Sequence, residues 1–324
     1  MKQLLCAAAL LSVFSTASYA NKALPGLSDF IDEMHQEQQF EKAELQTVFE
    51  QVDVKESILK AISRPAEKSK PWFDYRKIFI TDKRINGGAT FWQANAVALA
   101  KAETEFGVPA EIIVAILGVE TSYGGNVGSF RVVDALSTLA FRYPPRSKFF
   151  RSELGHFLAL TREEGMPILS PVGSYAGAMG LGQFMPSSYR AYAVDFDGDG
   201  KRDIWTNPTD AIGSIANYLA RHGWKRGEPI VHKTAVGDTI PVVLLEKGSK
   251  PAIDVAELKQ AGVSTAHLPA DAHQVALITL TQEKGEEYWL TRQNFYSITR
   301  YNHSRMYAMA VTQLAEAIRQ KHEQ

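Results

Sequence analysis

Glu120 closes an unbroken apolar run, Ile112-Ile113-Val114-Ala115-Ile116-Leu117-Gly118-Val119. On a helix it shares a face with Ile113 and Ile116, and Leu117 stands beside them. A carboxylate on such a stripe is costly to ionise, so its pKa is expected to rise. That suits a general acid near neutral pH, able to protonate a glycosidic oxygen and then act as a base. A structural glutamate capped by Ser122 or by amides at the helix end fits the same pattern. Glu120 alone does not separate the two readings.

Two further segments carry chemistry. Gly173-Ser174-Tyr175-Ala176-Gly177-Ala178-Met179-Gly180-Leu181-Gly182-Gln183-Phe184 is glycine-spaced but lacks both the dinucleotide pattern and the lysine of a phosphate loop. Its small residues permit close approach of a polymer, and Ser174 and Gln183 offer partners for hydroxyl or acetamido groups. A bland structural turn reads equally well here. In Asp195-Phe196-Asp197-Gly198-Asp199-Gly200-Lys201-Arg202-Asp203, oxygen donors fall at positions 1, 3, 5 and 9. Glycine stands at position 6 and the Lys201 carbonyl at 7, as in a calcium-binding loop. Position 12 is Thr206 instead of glutamate, and Asp210 lies beyond the usual register. The expected metal ligands are therefore Asp195, Asp197, Asp199, Lys201 and Asp203, with a structural role; a capped acidic turn is the alternative.

Several helices must position these groups. Pro109 and Glu111 mark the start of the helix that ends near Tyr123-Gly124-Gly125, with the glycines letting the chain turn away. Helices are also expected over 25–63, 89–106 (after Gly87-Gly88), 132–141, 147–164, from Pro186, over 208–222 and from 295 to 319. The Pro65–Pro71 stretch reads as a linker, and Trp72, Phe73 and Tyr75 beyond it as either core or a sugar-binding edge. Val231, Ile240 and Val242 to Leu245 suggest short strands that continue through 276–290.

Residues 1–20 read as a signal peptide, with Lys2, an apolar Leu4 to Phe14 and a small-x-small site at Ser18-Tyr19-Ala20. The single cysteine, Cys6, has a poor setting for lipid attachment, and its removal leaves no thiol chemistry. A formal charge of −1 gives bulk electrostatics no grip on nucleic acid, and no second long apolar run follows. The expected product is a soluble, extracytoplasmic protein with no stable membrane span.

Taken in order, three kinds of motif form a recognisable set. They are Gly118-Val119-Glu120-Thr121-Ser122-Tyr123-Gly124, Ala176 to Tyr189, and Asp195 to Trp205. Ala211-Ile212-Gly213-Ser214-Ile215-Ala216-Asn217-Tyr218 and Ile298-Thr299-Arg300-Tyr301-Asn302 extend it over nearly the whole mature chain. The set resembles the membrane-bound lytic transglycosylase B family. The resemblance implies an α+β fold: a mainly helical lysozyme-like core, a helical domain from both chain ends and a small β domain. The corresponding divisions are 1–20 signal peptide, 21–92 and 291–324 helical domain, 93–227 core with the EF-hand-like loop, and 228–290 β-rich domain.

By the same resemblance, Glu120 is the sole acid/base. The family cleaves the β-1,4 bond from N-acetylmuramic acid to N-acetylglucosamine in peptidoglycan, closing the C6 hydroxyl onto C1 to leave a 1,6-anhydromuramoyl end. Substrate contacts carry over to Tyr75, Arg146, Ser174, Gln183, Phe184, Tyr218, Tyr301, Asn302 and Tyr307. Pro145 replaces the first of the family's paired arginines, and Phe149 stands where tyrosine is common. No catalytic cofactor is implied, and a similar single calcium loop is. Peptidoglycan strands are the expected partner, with cell-wall synthesis or hydrolysis proteins as further ones, and the periplasm the expected place for a soluble monomer.

Ordinary glycosidases use two carboxyl groups. The motif around Glu120 offers no obvious second one, since Asp134 lies a helix later and Glu153 later still. Participation of the muramoyl N-acetyl group removes that need. The rival readings are a goose-type-like muramidase that uses water, and a non-catalytic peptidoglycan-binding protein.

Overall fold

In the computed structural model, residues 24–63, 70–237 and 242–324 are described. The signal-peptide residues 1–20 lie outside them, as do most of the expected linker and Ile240.

At the centre is the most apolar of the described helices, Ala110–Thr121, the seventh of them (α7), buried at every position except Glu111 and Glu120. Before it come α1 (Leu27–Gln38), α2 (Lys42–Glu50), α3 (Glu56–Ile62), α4 (Trp72–Phe79), α5 (Asp82–Ala94) and α6 (Ala96–Phe106). After it come α8 (Val132–Arg142), α9 (Ser147–Glu163), α10 (Pro186–Tyr192), α11 (Pro208–Arg221), α12 (Val242–Leu245), α13 (Val255–Gln260), α14 (Gln293–Tyr301) and α15 (Arg305–His322). Helices α5, α6, α11 and α15 pack around α7. One hydrophobic cluster joins the N-terminal helices, where Phe30 and Phe49 meet Phe141 edge to face, with the buried face of α15.

The helical stretch read over 25–63 divides into three, broken first where Gln39 takes a left-handed conformation. Gly87-Gly88 is not a break: α5 runs through both glycines. A Cβ at Gly88 would meet Ile318 at 2.6 Å and the Tyr123 hydroxyl at 2.7 Å, so the glycine serves close approach of α15. The break falls at Asn95, whose side chain bonds back to the Phe91 carbonyl. The C-terminal helix is likewise two, parted at residues 302–304 and restarted by the Ser304 side-chain cap.

The strands β3 (Val231–Thr234), β4 (Ile253–Asp254), β5 (Gln274–Thr281) and β6 (Glu286–Thr291) form an antiparallel sheet in the order β3-β6-β5-β4. A separate pair, β1 (Phe130–Arg131) and β2 (Val172–Gly173), ties α8 to the glycine-spaced loop. On β5, Val275 and Leu277 face a small second cluster with Leu290, while Ile278 and Leu280 join the large one. Both faces of this strand are thus covered, by the alternation a sheet imposes. Val242 to Leu245 is helix rather than strand. Only Leu244 is buried there, with Val242 56% and Val243 71% exposed, and a short apolar run does not fix its own period.

Candidate active site

Glu120 sits in the last turn of α7, where the helix ends on two left-handed residues, Ser122 and Tyr123. Their N–H groups return to the carbonyls of Gly118 and Leu117. This winds the chain off the helix and satisfies its terminal carbonyls. Tyr123 is then pinned across to α5, donating its hydroxyl to the Arg84 carbonyl at 2.7 Å, while the Arg84 guanidinium donates to the Gly118 carbonyl at 3.0 Å. Both bonds tie the segment presenting Glu120 to one residue of α5.

The Tyr307 hydroxyl donates to Glu120 Oε1 at 2.6 Å. Tyr307 lies in the first turn of α15 and is 2% exposed. Burial, then the nearby charge of Glu120, raises its pKa well above the usual phenol range, so it remains a donor. Tyr301 is raised by the same two causes in the same order, and donates to the Gly182 carbonyl at 2.5 Å.

The glycine-spaced loop is held beside this pair by Thr121, Glu120's neighbour, whose hydroxyl donates to the Leu181 carbonyl at 2.9 Å and accepts from the Gly124 amide. Within the loop, Met179 and Phe184 exchange two backbone hydrogen bonds. The Gln183 side chain donates to the Gly180 and Val127 carbonyls, leaving its amide oxygen as acceptor. Ser174 Oγ accepts from the amides of Ala176 and Ala178, which makes it first of all a loop-closing group.

Phe184, Tyr218 and Tyr301 form one aromatic cluster with centroids 4.8–5.8 Å apart. The Tyr218 hydroxyl is spent on the Arg300 carbonyl, so Tyr218 and Tyr301 both bind main chain. Tyr75 is fully buried on α4 against Trp72 and Phe79, near enough to Tyr307 to act on its titration. Of the aromatic triplet after the linker, Trp72 and Tyr75 are therefore core. Asn302 ends α14 and accepts from the Ser304 amide. Arg146 is exposed in the short turn Pro144–Arg146, with its guanidinium over the rings of Phe149 and Phe150. It is not hydrogen-bonded into the Glu120 group.

The next two carboxylates after Glu120 that bear on the chemistry, Asp134 and Glu153, are committed elsewhere. Asp134 accepts from Arg131 and from the Asp53 amide, and Glu153 accepts from the hydroxyl and amide of Ser187. Sequence reading named Tyr307 only as a substrate contact and missed Thr121, Arg84 and Tyr123. A hydroxyl residue directly after the glutamate was a visible signal for Thr121. Arg84 carried none.

In the acidic loop the carboxylates of Asp195, Asp197 and Asp210 come within 4.8 Å of one another. Asp195 is held below the usual carboxylate range, first by the Gly200 amide and then by those of Gly198 and Asp199, against some desolvation. Asp210 is fully buried, and that burial raises its pKa although the amides of Phe196 and Asp203 donate to it. None of the three has an ion pair among the described residues, so the donor set fits a hard cation. Asp199 and Asp203 lie outside that group of three and accept from backbone amides, of Lys201 and of Trp205 and Thr206, as Asp195, Asp197 and Asp210 also do. Asp210, off the expected register, is part of the cluster.

A single carboxylate at the end of a buried helix, gripped by a tyrosine of the last helix within a mainly helical body, defines a lysozyme-like glycan-cleaving protein. The family profile described as the transglycosylase SLT domain matches residues 22–316. The chain belongs to that family and is a lytic transglycosylase acting on peptidoglycan.

It is similar to membrane-bound lytic murein transglycosylase B of Escherichia coli, with 42% identity over 303 residues, 91% of this chain and 82% of the relative. Soluble lytic transglycosylase SltB1 from Pseudomonas aeruginosa is 52% identical, with TM-score 0.87 and coverage of 93% of this chain and 100% of that one. An Escherichia coli lytic transglycosylase in complex with calcium is 40% identical, with TM-score 0.84 and coverage of 93% and 94%. SltB3 from Pseudomonas aeruginosa, in complex with NAG-anhNAM-pentapeptide, is 30% identical, with TM-score 0.80 and coverage of 92% and 80%. No helix among the described residues is long and apolar enough to cross a membrane.

Proposed function

We propose that Glu120 is the sole acid/base for cleavage of the β-1,4 bond between N-acetylmuramic acid and N-acetylglucosamine in peptide-bearing glycan strands. The observation that carries this reading is the Tyr307–Glu120 hydrogen bond, with Asp134 and Glu153, the candidates for a second carboxylate, engaged with Arg131 and Ser187. Glu120 first protonates the glycosidic oxygen, and the bond to the N-acetylglucosamine leaving group breaks as the muramoyl acetamido oxygen closes on C1. Glu120 then takes the proton from the C6 hydroxyl as that oxygen displaces the acetamido group, giving a 1,6-anhydro end. The net change needs neither water nor a second carboxylate, only positioning and one relayed proton. The anhydromuramoyl ligand of the SltB3 complex supports the product assignment.

Mass spectrometry of products from purified peptidoglycan in isotopically labelled water tests it. The expected products carry anhydro ends and no label. Reducing ends labelled at C1 would make the enzyme a hydrolase and remove the C6 hydroxyl from the mechanism.

Tyr307 holds the carboxylate in one orientation in this reading. Tyr307→Phe keeps the ring and removes the donor, so kcat is expected to fall about 10- to 100-fold, the worth of one hydrogen bond to a charged group. KM should move far less. Steady-state kinetics on soluble glycan chains measures the split, and an unchanged kcat would deny Tyr307 this part.

Asp195, Asp197 and Asp210 are the side chains that would hold calcium, which would supply a fixed loop conformation and no chemistry. The calcium-bound relative supports this assignment. Residues 1–20 as a signal peptide, release into the periplasm and the domain divisions read from the sequence belong to the same proposal. The sugar-facing roles of Gln183, Ser174 and the aromatic cluster do too.

A further inference from the structure

Thr121 follows Glu120 and closes α7, yet its hydroxyl serves three segments at once. It donates to the Leu181 carbonyl at 2.9 Å, accepts from the Gly124 amide at 3.0 Å, and lies 3.3 Å from the Leu117 carbonyl one turn back. A threonine within a helix ordinarily returns its proton to that i−4 carbonyl. Here the Leu117 carbonyl already accepts from the Tyr123 amide, and the shorter hydroxyl bond reaches 60 positions along the chain to the glycine-spaced loop. Thr121 is 1% exposed, so its partners would be costly to leave unanswered. The Leu181 carbonyl has no second donor among the described residues.

The two sides of this clasp carry the two halves of the site. On one side, the Thr121 carbonyl accepts from the Asn126 amide, so the turn that follows Glu120 is wound on this one residue. On the other, the Leu181 amide donates to the Ile204 carbonyl at 2.9 Å, which anchors the glycine-spaced loop to the chain just past the acidic loop. The two segments touch closely: a Cβ at Gly124 would meet Leu181 Cδ2 at 2.7 Å. Two residues past Leu181, the Gln183 side chain donates to the Val127 carbonyl, in the chain that follows Glu120, at 3.3 Å. The Gln183 amide oxygen and the Glu120 carboxylate therefore stand on two segments joined by these bonds, and the Thr121 bond is the shorter.

We propose that Thr121 is a positioning residue, whose hydroxyl aligns the glycine-spaced loop, and with it Gln183, with the carboxylate of Glu120. Being buried, it acts through those two residues and not on the sugar itself. This role rests on the reading of Glu120 as the acid/base and Gln183 as sugar-facing, and adds the part that holds the two in line.

Steady-state kinetics on soluble glycan strands, run well below the Tm of each variant, separates alignment from plain stabilisation. Thr121→Val keeps the shape and removes the hydroxyl. It should lower kcat about 10- to 100-fold, as small misplacements of reacting groups do, with KM nearly unchanged. Thr121→Ser restores the hydroxyl and should recover most of the wild-type kcat. Thr121→Cys, close to Thr121→Ser in size but with only a weak S–H donor, should resemble Thr121→Val. That pair decides the matter should Thr121→Val not fold. Gln183→Ala should lower kcat about tenfold by itself and at most about twofold more in the Thr121→Val background, since both undo one alignment.

Full kcat in a folded Thr121→Val, or kcat that follows Tm across the series instead of donor strength, overturns the assignment. So does a cycle with Gln183→Ala in which the losses simply multiply. Glu120→Gln is the reference. If it turns over like wild type, the acid/base reading falls and takes the role of Thr121 with it. An inert Glu120→Gln beside a fully active Thr121→Val sinks the positioning role alone.

Discussion

Glu120→Gln should fold, bind glycan and form almost no 1,6-anhydromuramoyl product. The amide matches the carboxylate in size, and its oxygen can still accept from Tyr307, so the brace between α7 and α15 survives. What is lost is the exchangeable proton. General acid/base catalysis supplies about 100- to 10,000-fold in typical enzymes, and in the proposed mechanism one residue serves both halves of the reaction, so the upper end of that range is expected. Circular dichroism, cosedimentation with insoluble peptidoglycan and product mass spectrometry measure fold, binding and turnover in turn. A folded variant producing anhydro ends at the wild-type rate would falsify the mechanism.

The second large effect is expected in the acidic loop, where two aspartates of one cluster should respond differently. Asp210 is fully buried and holds the amides of Phe196 and Asp203. Asp210→Ala strands both donors, at about 1–3 kcal/mol each, so it should lower the Tm with or without calcium. Asp197 is exposed, and its replacement by Ala should cost little in chelator. Both variants should lose the calcium response of the wild type, which amounts to about 2.7 kcal/mol at a hundredfold excess over Kd. Thermal melts of the three proteins, each with calcium and with chelator, resolve the two contributions. If neither chelator nor calcium moves the wild-type Tm, the loop is a capped acidic turn.

Much of the architecture was legible because local chemistry announced it. The apolar stretch around Ile116 could only be a buried helix, and Pro109, Pro186 and Pro208 lie at helix starts as a fixed φ allows. The misread places share a cause: tertiary packing overrode a local signal. Gly87-Gly88 looked like a stop and proved to be the seat for Ile318 and Tyr123. Val242 to Leu245 had the composition of a strand but only one side to bury. In the site, its apolar helix marked Glu120 as a candidate, whereas its bond to Tyr307 spans 187 positions and leaves no trace in spacing. The same holds for Asp210, recruited into the acidic cluster from the helix that follows the loop.

That long separation also ties the pair to the packing of a third helix. Glu120 stands on α7 and Tyr307 on α15, and Gly88 of α5 lets α15 come close. A larger side chain at Gly88 would meet Ile318 of that same helix, so a change on α5 can reach the carboxylate and its phenol without touching either partner.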